Sequence, residues 1–282
     1  MTTVAVLGAG ALGGALAQKL AARNRVAEVR LIDAESRIAH GKALDILQSS
    51  PVDQFNTRLT AAETFTAAAG ADVIVIADDA TTQAEHAGEA GLALLREITR
   101  TIDRTPLVCA GAAQRELMVR ACDELHVPAG RILGSAPYAL ESAVRALAAV
   151  AIDGSGVDIS LRIVGVPPRS AVVAWEEAAV SGEPLTSYIP PHVIAALNGR
   201  IASLWPPGPY VLASAAARVA EAIAVGARRR FSCFVRNDRG PLRGSIVAMP
   251  VEVGPGGVRR ILEPSLTRQE RTMLENSVRL GT

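Results

Sequence analysis

The chain has 282 residues, 49% hydrophobic and 20% charged, with a formal net charge of +1, enough for one large domain or two medium ones around a sizeable core. So even a charge balance gives no electrostatic footprint for nucleic acid or an anionic membrane. The three cysteines, Cys109, Cys122 and Cys233, lie far apart without a CxxC pair, which argues against a disulfide framework or zinc site and for reduced thiols. An N-terminal apolar run broken by glycines, with no basic segment before it, reads as neither signal peptide nor membrane span; the expectation is a cytoplasmic protein with no metal site.

Val4–Leu7 is a short apolar run bounded by glycine, which predicts a buried strand. A helical pattern follows over Ala11–Arg23, then a strand over Val29–Asp33 and a helix over Ile38–Ser49 that should stop at Pro51. Asp72–Ala77 (DVIVIA), Pro106–Ala110 and Arg131–Gly134 predict further strands, separated by helices near Ala90–Arg104 and over Arg115–Leu125. Strands with continuous apolar interiors alternating with helices predict an α/β fold with a doubly wound parallel sheet of the Rossmann type.

After about Gly134 the texture becomes α+β. Helices are expected over Leu140–Val150, His192–Leu204, Leu212–Ala227 and from about Thr267. Strands are expected over Val157–Val164, Ala171–Trp175, Phe231–Arg236 and Gly244–Pro250. The basic run Arg228-Arg229-Arg230 with Arg236, Arg239 and Arg243 reads as a solvated edge. The predicted division is residues 1–135 for a dinucleotide-binding domain and 136–282 for a substrate and oligomerisation domain.

Gly8-Ala9-Gly10-Ala11-Leu12-Gly13 follows a predicted strand and opens a predicted helix. In such a loop Gly8 permits the tight turn, Gly10 lets the backbone approach a pyrophosphate, and Gly13 allows close helix–strand packing. Phosphates would rest on the helix N-terminal amides, those of Leu12 and Gly13 among them. Asp33 ends the second strand twenty positions after Gly13, where a carboxylate accepts ribose hydroxyls and repels a 2′-phosphate. The pattern predicts NAD over NADP.

Past residue 33, the segments GKALDILQSSPV (41–52), DVIVIA (72–77), RILGSAPYALESA (131–143), IVGVPPRSAVVAW (163–175) and ILEPSLTRQERTMLENS (261–277) make the chain resemble the lactate/malate dehydrogenases, nearer the malate dehydrogenase branch. The resemblance implies a mixed α+β C-terminal domain after the Rossmann-type sheet. It also implies dimers or tetramers packed through apolar helices, Leu44, Ile46 and Leu47 among the packing residues, and NAD-linked oxidation of a 2-hydroxy acid.

That chemistry needs a histidine base, a carboxylate that orients it, an arginine that grips the substrate carboxylate, and a second arginine on a closing loop. The histidine belongs in G-E-H-G-D-S, where this chain reads Gly165-Val166-Pro167-Pro168-Arg169-Ser170. The acid and arginine belong in L-D-S-A-R, where it reads Leu140-Glu141-Ser142-Ala143-Val144, with Arg145 rotated about 100° away. The loop Asp78–Glu89 carries no arginine, the next being Arg96, and Asp78 and Asp79 would repel an anionic substrate. The family's N-P pair is absent from Val108–Ala113.

Glu141 and His86 are therefore the candidate catalytic residues, since His40, His126 and His192 fall at helix or loop edges. Arg145 and Arg169 could serve a remodelled anion site or ordinary salt bridges. Three readings follow: an NAD-binding relative without the standard catalysis, an oxidoreductase rebuilt around Glu141 or His86 for another substrate, and a bare scaffold without cofactor. The intact glycine loop with Asp33 argues against the last.

Overall fold

A computed structural model describes residues 1–102 and 104–279. Its N-terminal half is a parallel sheet of six strands: β1 (Thr3–Leu7), β2 (Glu28–Ile32), β3 (Arg58–Ala62), β4 (Val73–Ile76), β5 (Leu107–Cys109) and β6 (Ile132–Gly134). They lie in the order β3-β2-β1-β4-β5-β6. Every residue of β1 and β4 is buried, as a strand in the middle of a doubly covered sheet must be. The intervening helices are α1 (Ala11–Ala22), α2 (Ser36–Asp53), α3 (Gly88–Thr101) and α4 (Arg115–Asp123). Between β1 and β4 the winding changes direction. At such a switch point, outside the carboxyl ends of the strands, folds of this type place their ligand crevice; here the loops that leave the two strands lie against each other, Gly10 N donating to the Asp78 carbonyl at 3.2 Å.

The second half comprises α5 (Ala136–Ala151), β7 (Ile159–Ser160), β8 (Ile163–Val166), β9 (Ser170–Val173), β10 (Ala179–Val180), β11 (Glu183–Pro184), α6 (Pro191–Arg200), α7 (Pro209–Ala224), β12 (Arg229–Arg236), β13 (Ile246–Gly254), β14 (Gly257–Ile261) and α8 (Arg268–Arg279). β12 pairs antiparallel with β6 through Phe234 and Gly134, and the sheet runs on through β13, β8 and β9, with β14 beside β13. β7, β10 and β11 form a small separate antiparallel sheet.

Several elements differ from expectation. α2 runs through Pro51 and ends at Asp53, where Gln54 closes it in the left-handed region (φ 56°). A proline in the last turn forfeits one backbone bond without displacing a long helix. β3 was not expected: Arg58-Leu-Thr-Ala-Ala has one buried residue, Leu59, and so no apolar run. Val157–Val164 divides into β7 and β8, and His192–Leu204 becomes α6 plus a 3-10 turn over Ile201–Leu204. α3 starts earlier and stops at Thr101; the expected end at Arg104 spans residue 103, which lies outside the described residues. Ile46, expected among the intersubunit residues, is buried inside the chain at 7% exposure, while Leu44 and Leu47 stand out at 55% and 42%.

Candidate functional site

The glycine loop forms as its sequence requires. Gly8 adopts φ +106°, a conformation open only to glycine without strain, and its amide donates to the Ile32 carbonyl at 2.7 Å. A methyl group at Gly13 would overlap the Gly8 carbonyl, and one at Gly10 would overlap the Asp78 carboxylate. The N-cap position of α1 is Gly10, which has no side chain to satisfy the first-turn amides, so these donors need an acceptor from outside.

That acceptor is Asp78. Its Oδ2 accepts the Leu12 amide at 2.8 Å and its Oδ1 accepts the Gly13 amide at 2.7 Å, with the side chain buried at 3% exposure. A carboxylate on the first turn of a helix gains both charge-assisted hydrogen bonds and the favourable end of the helix dipole. Lys42 adds a cation close by, its ammonium donating to the Gly10 carbonyl at 2.7 Å.

Asp78 heads a small hairpin. It pairs antiparallel with Glu85, and Asp79 N donates to the Ala84 carbonyl. The Asp79 carboxylate accepts the amides of Thr81 and Thr82. The Thr82 amide foremost among these hydrogen bonds, acting against burial, holds that carboxyl below its usual range. At the far end of the hairpin, Glu85 accepts the amides of Ala112 and Ala113 at 2.8 and 2.7 Å, just before α4 begins. The buried Gln114 ties this loop down, donating to the carbonyls of Ala77 and His86.

Asp33 lies where the sequence predicts, at the end of β2, and all its bonds are internal. Oδ2 accepts Ala9 N at 2.7 Å and Ala80 N at 3.0 Å, and Oδ1 accepts Glu35 N at 2.9 Å. One carboxylate thus joins the glycine loop to the hairpin. The fit to a dinucleotide is divided accordingly. The glycines provide the close approach a pyrophosphate needs, yet the Leu12 and Gly13 amides that would bind it are engaged by Asp78. In this conformation the seat does not accept the phosphates.

His86 ends the hairpin half-buried. Burial lowers the pKa of its imidazole, opposed by attraction to Asp79, Asp33 and Asp78. Glu141 lies elsewhere, on α5 and 1% exposed. Its Oε1 faces the Arg162 guanidinium at 3.2 Å and its Oε2 accepts the Ser232 hydroxyl at 2.6 Å. Burial pushes this carboxyl up, against the pull of Arg162 and Ser232. Among the described residues no hydrogen bond joins Glu141 to His86. The structure does not bring the two candidate catalytic residues together as a pair.

Val144 is buried at 1% exposure among core side chains. Arg145 points away, donating to the carbonyls of Gly156 and Val157. Pro167 is buried and Arg169 is exposed. His40, on α2, bonds within its own helix to Ser36, His126 is exposed, and His192 is the second residue of α6. Sequence reasoning placed acids beside the crevice but missed the inward turn of Asp78 and the role of Glu85. The available signal was a glycine N-cap lacking any side-chain acceptor, with Asp-Asp in the loop just past the neighbouring strand.

Residues 2–105 match the family model for the lactate/malate dehydrogenase NAD binding domain. The malate dehydrogenase of Thermomicrobium roseum is 29% identical over 97% of this chain and 94% of its own length. That of Chloroherpeton thalassium is 26% identical over 97% and 94%. Among solved structures, malate dehydrogenase from Salinibacter ruber superposes with a TM-score of 0.86 at 24% identity, covering 99% of this chain and 95% of that one. A lactate dehydrogenase from Cryptosporidium parvum, solved with lactic acid and nicotinamide adenine dinucleotide, gives 0.86 at 22% identity over 99% and 95%; at these identities the likeness is one of fold. The strand order, the glycine loop and these matches together identify residues 2–105 as a lactate/malate dehydrogenase-type NAD binding domain, in a chain similar over nearly its whole length to malate dehydrogenases.

Proposed function

We propose that this protein binds NAD(H) through Gly8, Gly10, Leu12, Gly13 and Asp33 and has given up the dehydrogenation of malate and lactate. The observation that carries this reading is the engagement of Glu141. In the resembled family the acid at this place orients a histidine; here its carboxylate is shut in with Arg162 and Ser232, and the histidine's place is taken by Pro167. Val144 in the core supports the same reading, because a valine supplies no two-pronged grip on a carboxylate. General acid–base catalysis contributes about 10²–10⁴-fold on its own, and here the base, the substrate clamp and the closing arginine are all missing.

The test is NADH oxidation with oxaloacetate, pyruvate and other 2-keto acids at millimolar concentration. No oxidation above the blank is expected. A turnover above about one per second, within the ordinary enzyme range, overturns the proposal. An oxidoreductase rebuilt around His86 for a different substrate is the second reading, favoured by the half-buried imidazole at the crevice, whose lowered pKa suits a neutral base. We further propose that residues 1–135 serve as the dinucleotide-binding domain and 136–282 as the substrate and oligomerisation domain of a cytoplasmic homodimer or homotetramer.

A further inference from the structure

We propose that the hairpin Asp78–His86 is an intrachain plug of the dinucleotide crevice, which NAD(H) must displace in order to bind. The inference rests on the reading that this chain binds NAD(H). Its physical basis is that two carboxylates of one short hairpin each hold a pair of backbone amides, one pair on either side of β4, from which the hairpin extends. Asp78 takes Leu12 and Gly13 at 2.8 and 2.7 Å, and Glu85 takes Ala112 and Ala113 at 2.8 and 2.7 Å. The first pair is the anion seat that a glycine-rich loop offers to a pyrophosphate at a helix N-terminus. The second lies at the entry to α4, after the neighbouring strand β5.

Three further contacts fix the hairpin in this inward position. The Asp78 carbonyl accepts Gly10 N and the His86 amide donates to Ala77 O, while Asp33 holds Ala80 N with the oxygen that also holds Ala9 N. The absence of a side chain at Gly10, which would let a phosphate approach, is what lets the Asp78 carboxylate lie there. A diphosphate and this carboxylate compete for the same donors and carry the same sign of charge, so they do not share the seat. A ligand that binds only the open state has its apparent affinity reduced by the fraction of molecules that are open.

The experiment combines NADH titration with hydrogen–deuterium exchange on the full chain. Asp78→Ala is expected to tighten NADH binding at least tenfold, and Asp78→Asn, which keeps the shape and removes the charge, to tighten it less. Glu89→Gln, an equal charge change on α3 away from the seat, should shift it by less than about twofold. Without cofactor, segment 8–14 should exchange faster in both Asp78 variants than in the parent, by a larger factor than β2 or β5 does, while the melting temperature falls with the loss of two charge-assisted hydrogen bonds. On NADH binding to the parent, segment 78–86 should exchange faster, since it is driven out; a lid that closes on its ligand exchanges more slowly.

Unchanged or weaker NADH binding in both Asp78 variants overturns the plug and leaves NAD binding standing. Stronger protection of 78–86 in the NADH complex does the same. If neither parent nor variants bind NADH at millimolar concentration, the NAD reading falls and the displacement proposal falls with it. Exchange over 8–14 then separately shows whether Asp78 is the acceptor of those amides.

Discussion

The Ser232 hydroxyl donates to the Glu141 carboxylate at 2.6 Å while accepting the Ile163 amide at 3.0 Å. α5, β8 and β12 are therefore tied together through the Ser232 hydroxyl in the interior. Burial raises the Glu141 pKa above its usual value, so the folded protein takes up this proton at a higher pH than the unfolded chain does. The contribution of this group to stability accordingly falls as pH rises from about 4.5 through the raised folded pKa, and levels off above it. Glu141→Gln, neutral and of the same shape, should remove that slope. Its melting temperature should equal or exceed that of the parent at pH 8, with the difference closing towards pH 5. Ser232→Ala should cost about 1–3 kcal/mol by leaving buried partners unsatisfied. Thermal melts between pH 5 and 8 check both.

Gly13→Ala should destabilise the chain by about 1–3 kcal/mol, the usual cost of overpacking. Its new methyl group meets the Gly8 carbonyl, which is backbone and cannot rotate away. Gly10→Ala instead meets the Asp78 side chain, which can turn. Denaturant unfolding should rank Gly13→Ala as the more damaging, and an inverted ranking would contradict the packing described for this loop.

NADH should bind more tightly than NADPH, because Asp33 places a negative charge where a 2′-phosphate would lie. Asp33→Ser should narrow that gap and also lower stability. The carboxylate accepts three amides, and a hydrogen bond to a charged group contributes about 1.5–3 kcal/mol. Calorimetric titration with both cofactors, paired with a melt, separates the two effects.

The protein should form a homo-oligomer. Leu44 and Leu47, three residues apart on α2 and therefore neighbours on its surface, are both exposed, and adjacent apolar side chains in solvent suit an interaction site. Light scattering at micromolar concentration should give at least a dimer mass, and Leu44→Asp with Leu47→Asp should yield the monomer.

The scaffold was largely legible in the sequence because its signals are local. The apolar runs of β1 and β4 and the Gly8–Gly13 loop depend on neighbours in sequence. So does the position of Asp33. The edge strand β3 and the extension of α2 through Pro51 escaped because tertiary pairing and a late position in the helix override local preference. The crevice was legible only in part. Pro167 and Val144 could be read by position, as could the lack of an arginine between Asp78 and Glu89. The capture of amides by Asp78 and Glu85 could not, since it joins residues 65 or 66 positions apart in one case and 27 or 28 in the other.

The pairing of β6 with β12 and the packing of α7 on α1 also bear on modularity. Arg23, just past α1, is ion-paired with Glu221 on α7, so the helix that bears the glycine loop leans on the last third of the chain. Residues 1–135 produced alone would bare the α1 surface that α7 now covers and leave β6 as a raw sheet edge, an invitation to edge-to-edge aggregation. The nucleotide half is consequently not a portable cassette. Transplanting the crevice into another protein, or testing it by fragment complementation, requires α7 and β12 to travel with it.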